Sequence, residues 1–128
     1  MGQQQILLVI VGVIIVGLAI AVGLALFGAQ SIASNRDSMI SDLQHLSLLA
    51  YQYRITLRTM GGGQGDYTTF IIPGEMQSNS NATYSITDAQ VNTLTLKGVS
   101  ANSAANTITA TVDSHGKLGG LVFGGEFQ

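Results

Sequence analysis

The sequence predicts an α+β protein, with one long N-terminal α-helix packed in its second half against a small C-terminal antiparallel β-sheet. Three observations carry this. Residues 6–29 form an unbroken apolar stretch, and roughly 20 such residues cross the hydrocarbon of a bilayer as a helix. The helical pattern then runs on without a proline to about Arg58. Beyond the glycines that follow, short alternating runs separated by Asn, Ser and Gly take over. The expected organisation is an apolar membrane-anchor or core helix over 1–29, its amphipathic continuation over 30–60, and a small sheet domain over 61–128. A rod of about 50 residues would be near 80 Å long at about 1.5 Å rise per residue.

Within 6–29, 16 residues are Leu, Ile, Val or Phe. At roughly 0.3–0.6 kcal/mol each, they favour insertion into a membrane by about 5–10 kcal/mol. A cleaved secretory signal has a basic front and an apolar run of about 7–15 residues. Here no Lys or Arg precedes Ile6 and the run is longer. Myristoylation of Gly2 would want Ser or Thr where Ile6 stands. The glycines are a second clue, because each weakens a water-exposed helix by about 1 kcal/mol relative to alanine yet lets apolar helices approach closely. At about 100° per residue, Gly12, Ala19 and Gly23 fall on one stripe, and Gly17, Ala21 and Gly28 on a second, roughly 140° around. Two stripes suit a helix with close neighbours on several sides. Glycine is also simply common in membrane helices.

From Gln30 the residues are mixed. Met39, Leu43, Leu46, Ala50, Tyr53 and Leu57 recur at steps of three and four, widened by Ile40 and Leu49, which makes a single apolar stripe. Ser41, Asp42, Gln44, His45 and Gln52 are expected on the solvated face. Arg36 and Asp37, about a turn past the apolar part, are the first side-chain charges in the chain. They read either as a membrane-surface boundary or as partners in pairing between subunits.

Gly61, Gly62 and Gly63, then Gly65, end the rod, as glycine does at helix C-termini. A phosphate-cradling loop needs a strand before it and a helix after it, and the order here is the reverse. Strand character follows at 68–72, 83–87, 91–97, 107–113 and 118–123, with a tight turn expected at 114–117. Short links between sequential strands suggest an antiparallel meander with a neutral, hydroxyl-rich exterior. Asn81-Ala82-Thr83 matches a glycosylation sequon, a triplet that also arises by chance.

The chain of 128 residues has no cysteine, hence no disulfide framework and no thiolate metal site. Its five cations are scattered along the sequence and its net charge is −2, so binding to nucleic acid through charge is not expected. A catalytic site needs convergent titratable groups. His45 and His115 read as surface histidines, and the acids Asp66, Glu75, Asp88, Asp113 and Glu126 are isolated in sequence. The expectation is a structural protein, not an enzyme, with no cofactor and no metal.

Over residues 5–58, a near-terminal apolar span running into an amphipathic half and then a small sheet, the chain resembles the type IV pilins and pseudopilins. The resemblance implies a subunit anchored in the membrane before assembly by its apolar half, which then becomes the core of a helical filament. It implies as partners further copies of the chain, a pilus assembly machinery with a cytoplasmic ATPase, and a prepilin-type peptidase that removes the leader, with methylation of the new terminus. The family's leader ends in glycine, and only Met1-Gly2 precede Gln3 here. The leader is this short, or lies outside this numbering, or processing differs. The family's glutamate at the fifth mature position corresponds to Gln5 counted from Met1, or to Leu7 after cleavage behind Gly2. Gln5 supplies a hydrogen-bond acceptor without charge. The family's mid-span proline and terminal disulfide loop have no counterpart; Gly17 and Gly23 would loosen the helix instead.

The function expected is therefore a structural subunit of an extracellular, type IV pilus-like filament. The assembly contacts expected are Gln5, Gly12, Gly17, Ala19, Ala21, Gly23, Gly28, Arg36 and Asp37, with Gly2 and Gln3 flanking the leader cut. The alternatives are a pseudopilin of a secretion system and a single-span membrane protein with a small extracytoplasmic binding domain. What such a filament touches is not written in the chain.

Overall fold

The computed structural model describes residues 2–127. One helix, α1, runs unbroken over Gly2–Ile55. Residues 2–33 are helix alone, and from Ser34 the rest of α1 and the whole sheet form one compact unit. A short helix, α2 (Gly74–Gln77), precedes strands β1 (Ala82–Ala89), β2 (Leu94–Ser100), β3 (Thr107–Val112) and β4 (Leu118–Gly124). The strands pair in sequence order, each antiparallel to the next. The chain is thus α+β, with a long apolar N-terminal helix and a four-stranded antiparallel meander.

Alternation decides which sheet face meets the helix. In β2 the inward positions are Leu94, Leu96, Gly98 and Ser100, and in β3 they are Ile108, Ala110 and Val112; all are buried. Met39, Leu43, Leu46 and Ala50 of α1 are fully buried against them. Side chains at steps of three and four on a helix, and of two on a strand, face one way, so the two periods meet in one core. Gly98 stands opposite Tyr84 in the pairing of β1 with β2. The missing side chain leaves room for the Tyr84 ring edge and the Met39 methyl, which a Cβ would meet at 2.9 and 3.0 Å. The outer face is rich in threonine, with Thr107, Thr109 and Thr111 at alternate positions of β3. Edge strand β1 carries a bulge between Ile86 and Asp88, a device that discourages edge-to-edge pairing.

Three expectations are corrected. Residues 68–72 are not a strand. Asp66 Oδ1 accepts the Thr68 N–H at 2.7 Å and the Phe70 N–H bonds back to the Tyr67 carbonyl at 2.9 Å. These local turns displace extended pairing. Thr68 and Thr69 are both exposed, and alternation is confined to Phe70, Ile71 and Ile72, so the run does not alternate through its length as a half-buried strand would. The helix ends at Ile55, short of Arg58, because the glycine loop returns to its last turn. Leu57 consequently lies outside α1 and is exposed. Finally, Asp42 is not simply solvated. It accepts hydrogen bonds from the Tyr84 hydroxyl at 2.5 Å and the Asn79 amide at 2.9 Å.

The last contact has a measurable consequence. Burial pushes the Tyr84 phenol well above its ordinary value of 10.0, and its hydrogen bond to Asp42 adds to this. Where a native pKa is raised, the stabilisation is complete below the unfolded value and is lost as pH climbs toward the native one. Thermal melts of the wild type should therefore decline above about pH 10. Tyr84→Phe should cost about 1–2 kcal/mol at neutral pH, since Asp42 keeps the Asn79 bond, and should melt with a shallower alkaline decline. Equal slopes for the two proteins would show that Tyr84 is not the titrating group.

Candidate functional site

The surface that stands out is the first part of α1. A fully helical backbone over residues 2–33 leaves no polar main-chain group unpaired along its middle, the condition for crossing hydrocarbon. Large apolar side chains from Ile6 to Phe27 are exposed on every side of it, Phe27 at 73%. It is the one helix among the described residues long and apolar enough to cross a membrane.

The residues singled out in the sequence fall as follows. Gly2, Gln3, Gln5, Gly12, Gly17, Ala19, Ala21, Gly23 and Gly28 are all exposed and all within α1; Met1 lies outside the described residues. A Cβ at Gly12, Gly17, Gly23 or Gly28 would meet nothing within 4 Å. Unbroken helix geometry keeps Gly12, Ala19 and Gly23 on one stripe and Gly17, Ala21 and Gly28 on another. Arg36 and Asp37 are brought together, Nε to Oδ1 at 3.7 Å. The Arg36 guanidinium also stands 5.9 Å from the Phe123 ring centre, within reach of cation–π attraction.

Within the unit that begins at Ser34, three polar clamps fix the sheet to the second part of α1. Asn35 donates to the Asn81 carbonyl at 3.1 Å and accepts from the Ser100 hydroxyl at 2.6 Å. Asp42 takes Tyr84 and Asn79. Arg54 donates to the Ser114 carbonyl at 2.7 Å and to Asn92 Oδ1 at 3.1 Å, with its guanidinium 5.4 Å from the Tyr67 ring centre. Sequence reasoning missed all three. Residues up to 65 positions apart meet here, and a lone Asn, Asp or Arg on a helix carries no local sign of its partner.

The other sequence candidates carry no convergent chemistry. The glycine loop turns its N–H groups back to carbonyls of the last helical turn, Gly63 to Tyr53 and Gly65 to Arg54, and of the residues just after it, Gly62 to Leu57 and Gln64 to Thr56. They are thus committed to the helix end and do not cradle an anion. His115 Nδ1 lies 2.9 Å from the Ser114 hydroxyl in the β3–β4 turn. That turn is held by Asp113, whose carboxylate accepts the Lys117 and His115 N–H groups and is thereby kept below its usual pKa. A cavity of about 300 Å³ lies between β1 and residues 70–77, lined by Phe70, Ile71, Ile72, Gln77, Tyr84, Ser85 and Ile86. Its one titratable lining group, Tyr84, has its hydroxyl bound to Asp42. Among the described residues no three His, Cys, Asp or Glu side chains are grouped to hold a metal ion.

No family model matches the chain, and comparison with curated proteins and with solved structures gives no match either.

Proposed function

We propose that the chain is a structural subunit of a type IV pilin-like surface filament, held in a membrane by the first part of α1 until assembly. The observation that carries this reading is the single helix of Gly2–Ile55, apolar all round at first and one-sided afterwards. A simple anchor needs about 20 residues and gains nothing from running unbroken into the body of the folded domain. A subunit that exchanges lipid for copies of itself uses that continuity, because the same helix supplies the span that packs and the stripe that holds the sheet.

The small-residue stripes give this packing its contacts. Without a hydrophobic drive between helices in lipid, association depends on close approach of backbones, which open space at Gly12, Gly17 and Gly23 permits. Drawing the span out of lipid costs about what its insertion gains, about 5–10 kcal/mol. Assembly is therefore assigned to an energised machine with a cytoplasmic ATPase, after a prepilin-type peptidase has acted near Gly2 and Gln3. On this reading the chain is structural and not catalytic. Its membrane-anchored form is the precursor, and its product lies outside the cell. A pseudopilin would share all of this and differ in fibre length.

The test is electron microscopy of material sheared from the cell surface, with intact-mass measurement of the subunit. Wild type should yield fibres, and the mass should report both removal of Met1-Gly2 and methylation. Gly23→Leu should abolish the fibres while leaving the protein in the membrane fraction. Normal fibres from that variant would remove the small-residue argument. A wild type that is monomeric in detergent and leaves no sheared fibres would favour a single-span protein with a small binding domain.

A further inference from the structure

Of the six asparagines in the chain, four use their side chains inside the fold. Asn35 bonds Asn81 and Ser100, Asn79 holds the start of β1 and Asp42, Asn92 receives Arg54, and Asn106 accepts the Glu126 N–H. Asn81 engages its neighbours through the backbone instead. Its N–H goes to Asn79 Oδ1 at 2.8 Å, and its carbonyl receives Asn35 at 3.1 Å and Ala101 at 3.0 Å. Among the described residues no buried side-chain nitrogen or oxygen is without a hydrogen-bond partner, so the unbonded Asn81 amide reaches solvent. Asn81 is also the one asparagine of the six with Ser or Thr two places on. The triplet alone is common; here it falls on an amide that the fold does not use.

We propose that Asn81 is an N-glycosylation site, taking its saccharide from a lipid-pyrophosphate donor through a membrane-bound transferase. The proposal rests on the reading above only in placing the sheet-bearing unit outside the cell. In the transfer the amide nitrogen attacks C1 of the donor sugar. The N–C1 bond forms, the C1–O bond to the lipid pyrophosphate breaks with its electron pair, and the amide proton passes to a base of the transferase. An amide already donating within the fold would have to give up those bonds first, and Asn81 has none to give up. The Thr83 hydroxyl, which completes the triplet, is equally accessible. Thr83 is exposed, and its hydroxyl is 3.4 Å from that of Ser78. β1 is an edge strand, and residues 77–80 before it are all exposed, the kind of segment that an enzyme can reach. Because Asn35 and Ala101 bind the Asn81 carbonyl, a sugar on the side chain leaves both contacts in place.

The test is mass spectrometry of the full chain from membranes of the cells that make it. Trypsin cuts after Arg58 and Lys97, which releases residues 59–97 as one peptide, and fragmentation locates any sugar on it. Wild type should carry sugar at Asn81. Asn81→Gln and Thr83→Ala should each remove it completely, and Thr83→Ser should keep it. Loss in Thr83→Ala, at a residue that itself carries no sugar, is the signature of recognition of the triplet. A bare 59–97 peptide in wild type overturns the proposal. So does sugar confined to Ser or Thr, or sugar on Asn81 that survives Thr83→Ala. Sheared fibres decide the filament reading separately. Fibres of bare subunits keep the filament and remove this site; a glycosylated chain without fibres keeps the site and removes the filament.

Discussion

Gly63→Ala should unfold the sheet-bearing unit far more readily than any exposed substitution does. A Cβ at Gly63 would lie well inside contact distance of the Asp66 carbonyl oxygen and 2.9 Å from Tyr53 Cε1. Backbone cannot yield as a flexible side chain can, so the loop itself must move. That movement breaks the bonds by which the loop closes the helix, Gly63 N–H to Tyr53 carbonyl at 2.8 Å, Gln64 to Thr56 at 3.0 Å and Gly65 to Arg54 at 2.5 Å. The last carbonyls of a helix have no partner within it, and here the loop supplies one. Overpacking costs about 1–3 kcal/mol and each forfeited hydrogen bond about 1 kcal/mol more, so the expected loss is about 3 kcal/mol. For a domain near 100 residues that lowers the melting temperature by roughly 10–25 °C. Gly74→Ala is the control, since a Cβ there meets nothing within 4 Å; it should change stability by no more than about 0.5 kcal/mol. Circular dichroism melts of the full chain in lipid nanodiscs read both. Matching melts for Gly63→Ala and wild type would mean that the loop does not hold the helix end.

The contrast between this loop and the rest of the chain shows what a sequence discloses. Periodicity made the apolar rod, the stripe of Met39, Leu43, Leu46 and Ala50, and the strands from Thr107 and from Leu118 readable, because each is a repeated local choice. Glycine after the helix was readable as a stop signal. That the loop folds back and donates four N–H groups was not, since the acceptors are fixed only once the chain has turned. The run 68–72 looked like a strand because Phe70, Ile71 and Ile72 have strand-forming side chains. Turn bonds from Asp66 and Tyr67 overrode that preference, as tertiary context commonly does. Asp42 has solvated neighbours in sequence, Ser41, Gln44 and His45, and its partners Tyr84 and Asn79 arrive from 42 and 37 positions away. The positions of Gly12, Ala19 and Gly23, and of Gly17, Ala21 and Gly28, on α1 follow from helix geometry alone.

Arg54→Ala should cost nearly as much as the glycine change, and in a way that separates packing of the sheet on α1 from stability of α1 itself. Arg54 sits in the last turn of the helix, where a cation already favours the helix dipole. Its guanidinium joins two turns, reaching Asn92 between β1 and β2 and Ser114 between β3 and β4. It also covers the Tyr67 ring, whose hydroxyl donates to the Asp113 carbonyl at 2.7 Å beside Ser114. Charged donors to neutral acceptors contribute about 1.5–3 kcal/mol, and the ring contact about 0.5–1 kcal/mol. Because the contacts share one side chain their values do not add, and about 3 kcal/mol is the expected total. Arg54→Lys should recover less than half, since an ammonium reproduces the charge without the planar fork that serves both turns. The partners are neutral oxygens, so the loss should hold at low and high salt alike, unlike that of an exposed ion pair such as Arg58 with Asp66 at 3.9 Å. Hydrogen exchange should quicken at residues 90–93 and 113–117 while the amides of residues 10–30 stay protected. A variant that Lys fully rescues, or whose loss fades as salt is raised, would reduce Arg54 to a surface charge and leave the docking of the sheet to the apolar core alone.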